Sequence, residues 1–467
     1  MSLLEKLQAL VGDAGLVTDA AAQAPYLTDW LGKWAGRTTV VVRPADTAQT
    51  AAVVRLCSET RTPIVTQGGN TGMSGGATPD ASGAQVVLST TRMNRVRAVD
   101  PVNNTLTLDA GVILANAQEA ARSVDRFFPL SLGAQGSCTV GGNVATNAGG
   151  IAVLRYGNTR DLVLGLEVVL PDGRIWHGLR GLRKDNTGYD LKGLFIGSEG
   201  TLGVITAVVL KLFPRPTSHA TAWVGADSLE QLVDLLGAMR TRCGERLTAF
   251  EMMTAASLQL VLDQVSDTRP PLAQPAPFNA LIELGDNGAE SGPAALLEAA
   301  LAEAMDAGLA NDVVLSASEA QTLALWKLRE GISQAQVRAG KAVKHDIALP
   351  ISSLASFVAQ AGLEVQACLP GARIVNFGHL GDGNLHYNVL LPADTDRDTL
   401  EHRTHDLNGV VHALVTRYGG SISAEHGVGQ LRRDELRIYK SPLEIELMLR
   451  IKQAMDPNQI MNPGKLL

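Results

Sequence analysis

Three glycine-rich stretches, each carrying Asn, Ser or Thr, fall within the first 215 residues and constrain what this chain can fold into. The first is Gly68-Gly69-Asn70-Thr71-Gly72-Met73-Ser74-Gly75-Gly76; the second spans residues 131–150 and the third residues 196–203. Glycine lets a backbone approach a ligand closely and adopt positive φ. Successive N–H groups in such turns make anion-binding concavities. One such loop is equally well a tight turn, but three together point to a bound ligand. Neither G-x-x-x-x-G-K-[ST] nor G-x-G-x-x-G occurs, so the usual ATP and Rossmann readings fail.

The pattern around the loops reads strand, helix, strand, loop. TTVVVRP is a short buried strand, TAQTAAVVRLCSET a helix with Asp46 or Thr47 as N-cap, and TPIVTQ the strand entering the first loop. Further strands follow to the run GTLGVITAVVLKLFP, and Pro214 and Pro216 mark a boundary. Beyond it, helices and strands alternate. A polar hairpin-like segment covers 375–391, a helix lies around 396–418, and a last Gly-bracketed loop, GGSISAEHGVGQ, precedes the tail DPNQIMNPGKLL. The expected fold is α+β, with domains at 1–215 and 216–395 and a C-terminal segment at 396–467. No internal repeat appears.

Composition removes several classes. The 467 residues are 45% hydrophobic and 19% charged, with a net charge of -7, unlike a nucleic-acid binder. Cys57, Cys138, Cys243 and Cys368 lie far apart, which disfavours disulfides, Cys-based zinc and iron–sulfur clusters. Reduced thiols, no signal-peptide pattern and no span of roughly 18 apolar residues lead to the expectation of a cytoplasmic protein without a membrane span.

The C-terminal half carries sharper chemistry. His379 and His386 flank Leu380-Gly381-Asp382-Gly383-Asn384, so a hairpin brings both imidazoles to one end of a sheet, with Asn388 on the face of His386 as a substrate contact. Glu425 and His426 sit in another glycine-bracketed loop. Two His and a carboxylate make a catalytic divalent-metal set; zinc suits it first, with iron, manganese and cobalt open. His177, His219, His402, His405 and His412 read as surface or structural. Upstream, Ser318 to Gln321 fits a capping box opening a helix over about 319–339, with Gly340 ending it. Arg329 and Ser333 are i,i+4 on it, and the following strand sets Lys344 and Asp346 on one side. Arg329 with Lys344 makes a cradle for an anionic group.

The string TQGGNTGMSGG, then PLSLGAQGSCTVGGNVATNAGG, YGNTRD and IGSEGTLGVIT, resembles the FAD-binding domain of the vanillyl-alcohol-oxidase-type flavoproteins. The C-terminal half resembles the branch containing D-lactate dehydrogenase, glycolate oxidase subunits and D-2-hydroxyglutarate dehydrogenase. That resemblance implies a two-subdomain FAD-binding domain and a substrate domain with an antiparallel sheet and a C-terminal helical segment. It implies that Gly68, Gly69, Asn70, Thr71 and Gly72 wrap the FAD pyrophosphate, with Ser74 close by. Ser137, Thr139, Gly142, Asn143, Thr146 and Asn147 line the flavin and ribityl path. Glu199, Gly200 and Ile205 flank the adenosine end, and Asn462 reaches back from the tail. The first loop lacks the His or Cys that tethers flavin in some relatives, so FAD is expected to be non-covalent.

In this branch GHxGDGNLH and the Glu of SISAEHG supply metal ligands, which here are His379, His386 and Glu425. The metal chelates and acidifies a hydroxyl while C2–H faces flavin N5, and His426 accepts the proton. In the D-2-hydroxyglutarate branch, residues matching Arg329, Ser333 and Lys344 contact a distal carboxylate. Ser333 stands where Thr is common and His345 where Tyr is common, which puts the pocket's shape in question. The implied reaction is oxidation of a D-2-hydroxy acid, with D-2-hydroxyglutarate ahead of D-malate. The implied acceptor is electron-transfer flavoprotein, a quinone or a cytochrome rather than NAD. A D-lactate dehydrogenase, an oxidase using O₂ and a non-catalytic FAD-binding subunit stay open, as does a homodimer.

Overall fold

The computed structural model describes residues 1–288 and 292–467. The chain forms two compact units. The first takes residues 1–150, 156–215 and 425–467 and contains two main sheets. Val41–Val42 and Ile64–Gln67 both run parallel to Val86–Ser89, and Leu16–Val17 lies antiparallel on the edge. Parallel strands need a crossover; the helix Thr47–Glu59 supplies one, and its N-cap is Asp46, whose side chain accepts the Gln49 N–H. Val53, Val54 and Cys57 of this helix pack on Ile64 and Leu88. The C-terminal tail returns to the same layer, where Asn462 N donates to Ile64 O at 2.7 Å.

The second sheet of this unit runs Val96–Asp100, Thr105–Asp109, Val204–Lys211, Val163–Val169, Ile175–Gly178, antiparallel throughout. Leu106, Leu108, Leu166, Val168 and Val208 face a core shared with the helices Leu114–Arg122 and Val140–Thr146. The first unit therefore has two subdomains, each with its own core.

The second unit takes residues 151–155 and 216–424. Its antiparallel sheet has the order Asp312–Leu315, Ser218–Ala226, Phe278–Asp286, Leu247–Thr254, Arg373–His379, Asn384–Leu391, Lys341–Val343, and Asp346–Ala348 also pairs with Asn384–Leu391. The helices Ala255–Gln264 and Glu319–Ala339 cover one face. Leu260, Leu325, Leu328 and Ile332 pack there on Trp223, Met253, Leu281, Val375 and Phe377. The second helix starts at Ser318, whose side chain accepts the Gln321 N–H at 3.3 Å. No reciprocal capping box closes, because the Gln321 side chain takes the Ala317 N–H instead, at 2.7 Å. The helix Arg397–Arg417 follows the sheet. Among the described residues no helix is long and apolar enough to cross a membrane. The architecture is α+β.

Candidate functional site

A cavity, partly open to solvent, lies within the first unit where the three glycine loops converge. Gly68, Gly69, Asn70, Thr71, Gly72 and Ser74 form one wall. Thr139, Gly142, Asn143 and Thr146 form the second, and Glu199, Gly200 and Ile205 the third, with His426 beside them. The loops come this close only because key positions lack a side chain: a Cβ on Gly69 would stand 2.1 Å from the Ser137 carbonyl oxygen.

Three expected residues are absent from the wall. Ser137 is exposed and its hydroxyl donates to Ala134 O. Asn147 ends the helix Val140–Thr146 in a left-handed conformation and accepts the Arg160 N–H at 2.9 Å. Asn462 donates to Gly76 O (2.9 Å) and Glu199 O (2.7 Å), tying two loops together behind the cavity.

The wall also includes Thr66, Gly76, Ala77, Thr90, Cys138, Gly141, Ala145 and Gly203, which were not singled out from the sequence. Thr66 lies on the strand Ile64–Gln67 that leads into the first loop, so its position there was the available signal. The hydroxyls of Thr66 and Thr139 are buried without a hydrogen-bond partner among the described residues. Buried hydroxyls on a glycine-lined cavity suit a polar dinucleotide that supplies their partners.

The loop bearing His426 is anchored to these same walls. The Ser74 hydroxyl donates to His426 O at 3.1 Å, and Glu199 accepts the N–H groups of Val428 (2.7 Å) and Gly429 (2.8 Å). Gly429 has φ 53°, and a Cβ there would meet Ser74 O at 2.1 Å. Burial pushes the Glu199 carboxyl above its ordinary range, against the two backbone donors, which favour its charged form.

The second unit gathers the hairpin residues. His379 ends the strand Arg373–His379, a single turn of 3₁₀ helix and Gly383 at φ 83° reverse the chain, and His386 lies three residues into the next strand. The two imidazole centroids are 5.7 Å apart. Strand register puts Asp346 opposite His386, and Asp346 Oδ1 is 3.7 Å from His386 Nδ1. Ala424 N donates to Asp346 O at 3.1 Å, so Glu425 and His426 follow by covalent continuity alone. Asp346, His386, Glu425 and His426 each offer a ligand atom, and these atoms lie within 4.8 Å of one another. This donor set of two imidazoles and two carboxylates suits a divalent cation. His379 is outside that set.

A residue not singled out from sequence sits beside His379. Glu251, 1% exposed, accepts from His379 Nδ1 at 2.7 Å through Oε1. Through Oε2 it meets Arg329 Nε at 2.8 Å and Nη2 at 2.7 Å. Burial raises its pKa, and the neighbouring His379 and Arg329 more than reverse this, leaving the carboxyl below its ordinary range. Arg329 is itself buried, with its guanidinium 4.9 Å from the Phe377 ring centre. Lys344 is half-buried. Ser333 is exposed, and its hydroxyl makes no hydrogen bond among the described residues. Asn388 is buried, accepting the His345 N–H and donating to Gln336.

A family model for the FAD binding domain matches residues 38–178, and one for FAD linked oxidases, C-terminal domain, matches residues 215–466. The chain belongs to the FAD-linked oxidase family. Among the relatives of this FAD-linked oxidase is the mitochondrial D-2-hydroxyglutarate dehydrogenase of Bos taurus, 41% identical over 458 residues, covering 97% of this chain and 81% of the relative. Another is a putative mitochondrial D-lactate dehydrogenase of Schizosaccharomyces pombe, 38% identical over 473 residues, covering 99% and 88%. The fold is shared with p-cresol methylhydroxylase at 18% identity, with a TM-score of 0.78 and coverage of 99% and 96%.

These relatives overturn one expectation. Both are named mitochondrial, which points to mitochondria rather than cytoplasm. The four cysteines are unpaired, but free thiols report only a reducing environment and do not tell one such compartment from another.

Proposed function

We propose that this FAD-dependent enzyme oxidises D-2-hydroxyglutarate to 2-oxoglutarate, with D-malate a smaller substrate of the same kind. The observation that carries the reading is the donor set Asp346, His386, Glu425 and His426, whose last member also lines the glycine-walled cavity. Bound FAD supplies the hydride acceptor, and a bound divalent ion, zinc first, supplies Lewis acidity toward the substrate hydroxyl. FAD is non-covalent in this reading: burial pushes the Cys138 thiol up, so little thiolate exists to attack the flavin.

His386 and Glu425 would hold a divalent metal, with Asp346 beside them. His379 would join as a further ligand, its Nδ1 being committed to a buried carboxylate, the usual arrangement behind a metal-bound imidazole. His426 takes the hydroxyl proton as C2 loses its hydride and the C–O bond becomes C=O. The anchoring of its loop by Ser74 and Glu199 keeps that imidazole on the cavity wall. Arg329 and Lys344 hold the distal carboxylate, with Ser333 and Asn388 at the pocket's edge. A bound flavin would pass its electrons on to an acceptor such as electron-transfer flavoprotein or a quinone.

The Schizosaccharomyces pombe relative favours a second reading, oxidation of D-lactate. Lys344→Ala separates the two. Loss of a charge-assisted contact to the distal carboxylate should lower kcat/KM for D-2-hydroxyglutarate by about tenfold to a hundredfold. D-lactate, which has no distal carboxylate, should lose little. Anaerobic flavin bleaching by both acids, with and without chelator, reads the same question in the native protein. Bleaching by D-lactate alone would sink the dicarboxylate reading, and bleaching that survives complete metal removal would sink the metal's role.

A further inference from the structure

Glu251 lies on the strand Leu247–Thr254 at the position paired with His379. Directly opposed residues share a face. Met253, two residues on, belongs to the apolar cluster with Leu328, Ile332, Val375 and Phe377. The seam between the sheet and the helix Glu319–Ala339 is therefore largely apolar; besides the neutral pair Asn388–Gln336 and the Trp326–Glu283 bond, it is polar where Glu251, Arg329 and His379 meet. Well-packed hydrophobic residues commonly serve such a seam as well as a buried ion pair does, so packing alone does not account for three polar side chains from three elements.

The division of labour in the carboxylate is specific. Oε2 takes both Nε and Nη2 of Arg329, and Oε1 takes Nδ1 of His379. Among the described residues the Arg329 Nη1 has no hydrogen-bond partner, and the His379 ring offers Nε2 as its other ligand atom. We infer that Glu251 is a positioning residue shared by the two ends of the substrate site, fixing Arg329 toward the distal carboxylate and His379 toward the metal-bound end. This rests on the proposed roles of Arg329 and His379. One rigid group then sets the spacing between the two ends, which selects for the length of a dicarboxylic 2-hydroxy acid.

The test is Glu251→Gln in the flavin- and metal-loaded enzyme, an isosteric change that cannot accept from both partners. Two quantities are read: metal retention against graded chelator, and the ratio of kcat/KM for D-2-hydroxyglutarate over D-lactate. Metal binding should weaken by about 10- to 100-fold, and the ratio should fall on the order of tenfold. If either quantity stays within about twofold of wild type, whatever the thermal stability, the shared role is overturned. Glu251→Asp, which keeps the charge but withdraws it by one methylene, carries the same two readouts if the Gln variant does not fold. Lys344→Ala and Arg329→Ala run alongside. If they leave the ratio unchanged, the carboxylate-cradle reading has failed; if they lower it and both Glu251 variants do not, only the inference has.

Discussion

The cavity of the first unit and the polar cluster of the second are built by opposite means. The cavity is mostly backbone and small side chains: glycines from three loops, with threonine hydroxyls between them. The cluster is nearly all side chain, with Glu251, Arg329, Asp346, His379 and His386 projecting from four strands and a helix. A dinucleotide is held by many weak, distributed backbone contacts, so its site is defined by what is left out. A small acid must be gripped by a few charges, and in a buried site each must be matched. The two regions should therefore fail in different ways: the first when a methyl group is added, the second when a charge is removed.

The largest effect should come from breaking the charge balance. Arg329→Ala leaves Glu251 buried without its guanidinium partner, and breaking a buried pair costs about 3–5 kcal/mol. Thermal or denaturant unfolding measures it. The exposed pair of Arg122 with Glu119 gives the control, where Arg122→Ala should cost no more than about 1 kcal/mol. Equal losses would mean that the trio is solvated in solution, and the contrast between the two regions would fall.

The first region is sharpened by two glycines three residues apart. Gly69→Ala drives a methyl group into the Ser137 carbonyl, a backbone atom that cannot swing aside, and should cost about 1–3 kcal/mol along with FAD retention. A Cβ on Gly72 would meet nothing within 4 Å, so Gly72→Ala should leave stability within about 0.5 kcal/mol. Its FAD content then reports whether the cofactor itself lies against residue 72. Matched stability losses at the two positions would show that the close approach at Gly69 is not what limits the fold.

The same contrast explains what was legible in the sequence. Glycine loops are contiguous, so the motifs name most of the cavity wall directly. The misses there are residues whose job is local: Asn147 is taken up by a left-handed helix end, and Asn462 by bridging two carbonyls. In the second unit the hairpin around Gly383 was readable because its two histidines are close in sequence. Glu251 was not, because LTAFEMMT reads as an apolar strand with one acid, and its partners lie 78 and 128 residues away. Strand register made that pairing, and nothing local encodes it. Ser333 shows the limit of helical spacing: it is i,i+4 from Arg329, yet the buried face passes through Ile332 and Gln336 and leaves it exposed.

The smallest effect concerns the one acid that the backbone-built region does contain. Burial raises the Glu199 pKa, and the N–H groups of Val428 and Gly429 pull it back only in part. With the folded pKa above the unfolded value of about 4.3, both states hold the proton at low pH and the group has no effect on stability. As pH rises past the unfolded pKa, the unfolded chain releases its proton first, and stability falls until the folded pKa is passed. Glu199→Gln removes that slope. Its amide still accepts one backbone N–H but sets an NH₂ against the other, a constant cost of about 1–3 kcal/mol. Unfolding of the FAD-free protein from about pH 4.5 upward should thus start with the variant less stable, and the gap to wild type should narrow as pH rises. Parallel curves would mean that the two N–H donors offset burial and that Glu199 ionises as readily folded as unfolded. The loop carrying His426 would then be held by a full charge, and both regions would rest on matched buried charge after all.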